Sequence, residues 1–231
     1  MYNTKKNNVL VIAAHPDDEI LGCGGTMALH SKNRDKVNVL LLSKGIKSRD
    51  RIKNIEKKIT SLSSAAMKAN ESLGAKKIIL LDYPDNSFDS VNLLTMVKSI
   101  EKIIKLFKPN IVYTHHHGDL NIDHEITNRA VLTACRPVPK SSLNKIFTFE
   151  VNSSTEWSIN KEKNLFIPNW YVDISKTIKL KKKALTFYNS EMKNWPHARS
   201  IKSVEILARR RGTIVGLNFA ESFHLVRSIN K

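Results

Sequence analysis

Two runs of histidines and carboxylates stand out: His15-Pro16-Asp17-Asp18-Glu19 and His115-His116-His117-Gly118-Asp119-Leu120-Asn121-Ile122-Asp123-His124. Imidazole nitrogen combined with carboxylate oxygen suits a divalent transition metal, and a histidine and an acid three positions apart across a helical turn can converge on one point. His15 and Asp18 have that spacing. The second run can supply a third ligand if the fold brings it to the first. A helix starting here would favour the ionised forms of Asp17 and Asp18 through the positive end of its dipole.

The elements around these runs meet that condition. Val9–Ala14 is a short apolar run with no polar alternation, as in a strand buried on both faces, and His15 follows it directly. A helix is expected over Glu19–His30, with Gly22, Gly24 and Gly25 marking close backbone approach. Strands follow at Val37–Leu42, Ile78–Leu81, Ile111–His115 and Lys145–Phe149. Between them, helices are expected from about Arg49 to Leu73 (stopped by Gly74), over Leu93–Phe107 (ended before Pro109) and over Asp123–Cys135. Such alternation predicts a Rossmann-like α/β fold, with a mainly parallel sheet covered by helices on both faces. Ligands in such folds sit beyond the carboxyl ends of the strands, where both runs lie.

The organisation expected is a single domain over 1–231, with a core at about 8–150 and an irregular part, 151–231, completing the pocket. There Pro139, Pro168 and Pro196 interrupt the pattern, leaving one basic helix around Thr177–Tyr188.

At this point the sequence resembles the PIG-L or LmbE-like family of zinc-dependent N-deacetylases. Ala14-His-Pro-Asp-Asp-Glu19 matches the signature after the first strand, and Asp123-His124 matches the end of the second motif. The Leu81–Asp85 turn and Ala220-Glu-Ser-Phe223 are also similar; the resemblance covers roughly the first 135 residues well and the rest patchily. It implies a metal held by His15, Asp18 and His124, with water completing the sphere and zinc as the ion, ferrous iron being the other candidate. It further implies that Asp17 accepts the proton of that water as it attacks an N-acyl amide of an amino sugar.

One position departs from the pattern. Many relatives carry a histidine three residues before the ligand histidine, where this chain has Asn121. Asparagine can donate to an oxyanion but cannot be a general acid near neutral pH. The proton donor to the leaving amine is then Asp17, returning what it took, in preference to His116, His117, His197 or His224. Asp119 and Asp123 read as supports for the ligands, Asp85 and His116 as candidate pocket residues, and Arg199 as a cation for an anionic part of the substrate. Asp17 could otherwise merely cap the helix, and Asp85 merely serve its turn. Glu221 is expected to fix a pocket wall or to pair with an arginine.

Net charge is +17. Such a field favours anionic partners and fits an amino sugar linked to a nucleotide or lipid diphosphate, although solvated basic helix faces explain it as well. A nucleic-acid-binding module is the rival from another class, but zinc-finger spacing, an aromatic RNA-binding motif and a basic heptad region are all missing. A non-haem iron oxygenase would carry His-x-Asp on a β scaffold rather than His-x-x-Asp on a β-α-β frame. A metal-binding relative without hydrolysis is a third alternative, prompted by Asn121. The two cysteines, Cys23 and Cys135, read as buried thiols in a reducing compartment. With no signal core and no apolar run of spanning length, the expectation is a cytoplasmic protein without an integral membrane segment, and a homo-oligomer is left open.

Overall fold

The structure is a computed structural model that describes residues 6–45, 54–158 and 164–230. Strands β1 (Asn8–Ala13), β2 (Lys36–Leu41), β3 (Lys77–Leu80), β4 (Ile111–His115) and β5 (Lys145–Phe149) alternate with helices α1 (Asp18–Lys32), α2 (Ile55–Ser72), α3 (Leu93–Phe107) and α4 (Ile122–Ala134). The expected start of α2 near Arg49 falls outside the described residues.

One seven-stranded sheet runs in the order β3-β2-β1-β4-β5-β7-β6, where β6 is Trp170–Asp173 and β7 is Ala220–Ser228. Strands β1 to β5 pair in parallel, and β7 is antiparallel to both its neighbours. Alternate residues of β1 enter opposite cores. Val9, Val11 and Ala13 join the cluster containing residues of α1 and α2, whereas Leu10 and Ile12 join the one built on α3 and α4. A strand buried on both sides can therefore be apolar throughout.

Beyond residue 150, expected to be irregular apart from one basic helix, the chain contains that helix as α5 (Ile178–Leu185) and in addition β6, α6 (Ile201–Ile214) and β7. Its prolines punctuate these elements from outside: Pro168 precedes β6 and Pro196 precedes α6. The antiparallel pair β7 and β6, with the four-residue β6 at the sheet edge, carries a weaker apolar signal than the central parallel strands.

Helix α1 is broken within its first turns, where Cys23 leaves helical geometry at φ −145°, ψ 21°. The break frees backbone groups in the interior, and a buried ion pair satisfies them. Lys181 Nζ donates to Leu21 O at 2.7 Å and to Glu221 Oε1 at 2.7 Å, while Glu221 accepts the N–H groups of Gly25 and Thr26 at 2.8 and 2.7 Å. The partner of Glu221 is thus a lysine, not the expected arginine. Gly22 sits where β5 passes closest, since a Cβ there would enter the Phe149 ring. No described helix is long and apolar enough to cross a membrane.

Candidate metal and active site

Neighbouring strands β1 and β4 send their following helices into different cores, so their carboxyl ends open a crevice at the point where strand order reverses. The turn after β1 enters it with an unusual backbone. Asp17 has φ 107°, a strained conformation for a residue with a Cβ, and is held there by its N–H to Glu19 Oε2 (3.1 Å) and by its carbonyl, which accepts from Ile20 and Leu21. Glu19 is fixed in turn by Tyr188 Oη at 2.6 Å and Asn70 Nδ2 at 2.7 Å. Burial, resisted by those bonds, raises the Glu19 pKa to about 7.

His15, Asp18 and His124 present ligand atoms within 4.8 Å of one another. Asp18 Oδ2 lies 3.2 Å from His15 Nδ1 and 3.1 Å from His124 Nε2. The far nitrogen of each imidazole meets a second carboxylate: His15 Nε2 is 2.9 Å from Asp123 Oδ2, and His124 Nδ1 is 3.2 Å from Asp119 Oδ1. Carboxylates behind ligating histidines set ring orientation and raise basicity, as is usual behind metal ligands.

The charge balance around the ligands favours a cation. Burial disfavours charge on both histidines, but bonds from Asp123 and Asp18 carry His15 up to about 10, and the fields of Asp18 and Asp119 carry His124 up to about 9. Against the cost of burial, His124 and His15 hold Asp18 well below the ordinary carboxylate range. His124 Nε2 and Asp18 Oδ1 are buried without hydrogen-bond partners. Two imidazoles and a carboxylate with such orphaned atoms fit a divalent metal of the zinc or ferrous type.

Asp17 sits beside this cluster. Its Oδ2 accepts from Arg199 Nη1 at 2.9 Å, and its Oδ1 is buried with no partner. Burial, with the nearby Asp18, Glu191 and Glu19, raises its pKa well above the usual range against the pull of Arg199. A polar pocket opens over it, lined among others by His15, Asp17, Asp85, Asn121, Glu191 and Arg199. Asp85 Oδ1 is 3.4 Å from His15 Nε2.

His116 does not join the pocket. Successive residues at the end of β4 point opposite ways: His115 stacks on His124 at 3.9 Å between ring centroids, and His116 turns to Asn164 O, 2.9 Å away. His197 meets Trp157 edge to face, and His224 Nδ1 lies 3.0 Å from Ile167 O. Neither they nor His117 line the pocket.

His115 is a core histidine under the strand end, one of the readings open to the three consecutive histidines, whereas the hydroxyl groups after β5 were not anticipated from sequence. Buried His115 accepts the Ala14 N–H at Nε2 (2.9 Å), which makes it a neutral floor under His124, and burial keeps its pKa low. After β5, the hydroxyls of Ser154 and Thr155 both donate to Asp119, the latter at 2.6 Å, while Ser153 Oγ accepts from Arg199 Nε at 2.7 Å. The only sequence signal for them is position, since Ser153-Ser154-Thr155 follows the carboxyl end of a parallel strand.

Known proteins resemble this chain in sequence and in fold. The PIG-L family model, described as GlcNAc-PI de-N-acetylase, matches residues 10–135. An uncharacterized deacetylase of Escherichia coli K12, YaiS, is 30% identical over 141 residues, covering 59% of this chain and 72% of the relative. A probable N-acetyl-α-D-glucosaminyl L-malate deacetylase 2 of Bacillus cereus is 27% identical over 157 residues, covering 65% and 71%. In fold, N,N′-diacetylchitobiose deacetylase from Pyrococcus horikoshii superposes with a TM-score of 0.76 at 20% identity, over 95% of this chain and 83% of that one. The family match spans both edges of the crevice, from β1 through the helix that carries His124, and on that basis the chain belongs to the PIG-L family of deacetylases.

Proposed function

We propose that this protein is a zinc-dependent hydrolase that removes the N-acetyl group from an amino-sugar compound, with His15, Asp18 and His124 as the metal ligands and Asp17 as the base. The observation that carries the reading is the pairing of a His-Asp-His cluster with an adjacent, buried carboxylate oxygen that has no partner. Zinc bound there would supply Lewis acidity, polarising the acyl carbonyl and acidifying water. Ferrous iron suits the same donors.

The protein's own groups account for the remaining steps. Asp17 Oδ1 takes the proton as water adds to the carbonyl carbon and passes it to nitrogen as the C–N bond breaks, leaving acetate and a free amine. Among the described residues His15 is the one histidine lining the pocket, which supports return of the proton by Asp17. Its raised pKa suits a group that must both take and give a proton. Asp123 and Asp119 hold the ligand rings in register, and Asp85 and Glu191 bring carboxylate acceptors to the pocket that faces the sugar hydroxyls.

The carboxylates in the pocket suit a neutral sugar ring at the reacting end. A nucleotide- or lipid-diphosphate attachment would lie outside it, drawn by the net charge of +17. Substrates named for relatives, GlcNAc linked to malate and diacetylchitobiose, support an N-acetylglucosamine-type group.

The test is elemental analysis of protein purified without chelator, with amine release measured on N-acetylglucosamine, diacetylchitobiose and UDP-N-acetylglucosamine for wild type, His15→Ala and Asp17→Asn. The reading expects about one metal per chain, lost with activity in His15→Ala, and a loss of about 10²–10⁴ in kcat with metal retained in Asp17→Asn. Metal-loaded protein that releases no amine from any N-acetyl sugar would refute it.

A further inference from the structure

Asn121 brings no charge to the pocket, and its side chain is engaged at both ends. Its Oδ1 caps α4 by accepting the Asp123 N–H at 2.9 Å, and its Nδ2 donates to Asn86 Oδ1 at 3.2 Å. Among the described residues that line the pocket, the one lysine or arginine is Arg199.

Arg199 is gripped at two points. Nε donates to Ser153 Oγ at 2.7 Å and Nη1 to Asp17 Oδ2 at 2.9 Å, while Nη2 lies 4.0 Å from Asp18 Oδ1. Ser153 is itself held at φ 67° by its N–H to Glu156 Oε1, 2.7 Å away. The loop bearing Arg199 closes through Lys193 N–H to Arg199 O at 3.2 Å, and Ser200 then caps α6. Both ends of the side chain are therefore fixed, and the planar fork leaves the Asp17 carboxylate one orientation, with Oδ2 bound and Oδ1 unbound.

We propose that Arg199 is the positioning residue of the hydrolysis: it aims Asp17 and places a positive charge beside Asp18. The inference rests on Asp17 being the base. It replaces the expectation that Arg199 binds an anionic part of the substrate, because the guanidinium is already used by Asp17 and Ser153. A lysine could reach one partner but could not reproduce the two-point fork.

The experiment uses metal-loaded wild type, Arg199→Ala, Arg199→Lys and Ser153→Ala, with metal content and melting temperature checked for each. Amine-release kinetics are measured alongside calorimetric binding of methylphosphonate, a tetrahedral anion that mimics the acetyl centre under attack. Arg199→Ala is expected to lower kcat about 10²–10³-fold with KM within about threefold and metal retained, and to weaken methylphosphonate at least about tenfold. Arg199→Lys should recover part of kcat, and Ser153→Ala should lose about threefold or more in kcat alone. A raised KM with unchanged kcat in Arg199→Ala would make it a substrate-binding arginine and overturn the proposal. Equal methylphosphonate affinity in wild type and Arg199→Ala would overturn it without any turnover. Failure of wild type to release amine would instead strike the hydrolase reading, and the methylphosphonate comparison would still decide the charge placement.

Discussion

The break in α1 offers a quantitative test of how the active-site turn is held. Glu221→Ala removes the carboxylate that neutralises Lys181 and accepts two backbone N–H groups, in a pair whose side chains are each only 4% exposed. Stripping one partner from a buried ion pair costs about 3–5 kcal/mol, and each orphaned donor adds about 1–3 kcal/mol. These costs do not simply add, because water can enter through the small adjacent cavity lined by Lys181, Glu150 and Ser222. A net loss of about 4 kcal/mol is expected, or about 8–16 °C in Tm for a chain of this size. Replacing both partners, Lys181→Met with Glu221→Gln, should cost less than the two single substitutions combined, since neither leaves a buried charge behind. Urea and thermal unfolding of Glu221→Ala gives the loss, and the same measurements on wild type, Lys181→Met, Glu221→Gln and their combination close the cycle. A loss below about 1 kcal/mol in Glu221→Ala, or strict additivity, would refute the claim that this pair bridges the break.

Three further outcomes are expected. Asp119→Ala should weaken metal binding about 10–100-fold in a chelator competition, because Asp119 orients His124; its carboxyl, held at about 2 by His124, Ser154 and Thr155 despite burial, is ionised at any working pH. Asp35→Asn should cost about 1–2 kcal/mol at neutral pH by weakening the ties from Asp35 to Asn7 and His30. Burial opposes ionisation of Asp35, but those bonds pull its pKa below the ordinary value, so the wild-type advantage is full above about pH 4 and shrinks as pH falls through the lower folded value; urea midpoints across that range would show the gap closing. Gly22→Ala should destabilise by about 1–3 kcal/mol in thermal melts, because its methyl group would displace the Phe149 ring.

Much of this architecture was legible because parallel strands buried on both faces write long apolar runs. β4 and β5 begin and end where the sequence predicts, and α3 spans Leu93–Phe107 as read from its periodicity and Pro109. The cluster of His15, Asp18 and His124 could be read for a related reason, since a parallel sheet gathers strand ends on one edge. The partners at long sequence separation could not be read. Nothing local marks Ser153 as a support for Arg199, or Lys181 as the counter-ion of Glu221, because each contact depends on how α5, α6 and the loop after β5 pack. His116 was misjudged for a geometric reason: of adjacent residues leaving a strand, one faces the crevice and the next turns away.

The family match stops at residue 135, yet Arg199, Glu191, Ser153, Ser154 and Thr155 all come from later in the chain. Labour in the crevice is divided along the sequence: the first half carries the His15-Asp18-His124 cluster, and the second half furnishes braces and a wall. Loops after β5 and before α6 could then diverge, or be exchanged between relatives, and redirect the catalyst to a different sugar without rebuilding the ligand set. The same division sets a limit on minimal enzymes. A fragment ending after α4 would keep His15, Asp18 and His124 but lose the hydroxyls behind Asp119 and the guanidinium on Asp17, leaving ligands without the scaffold that aims them.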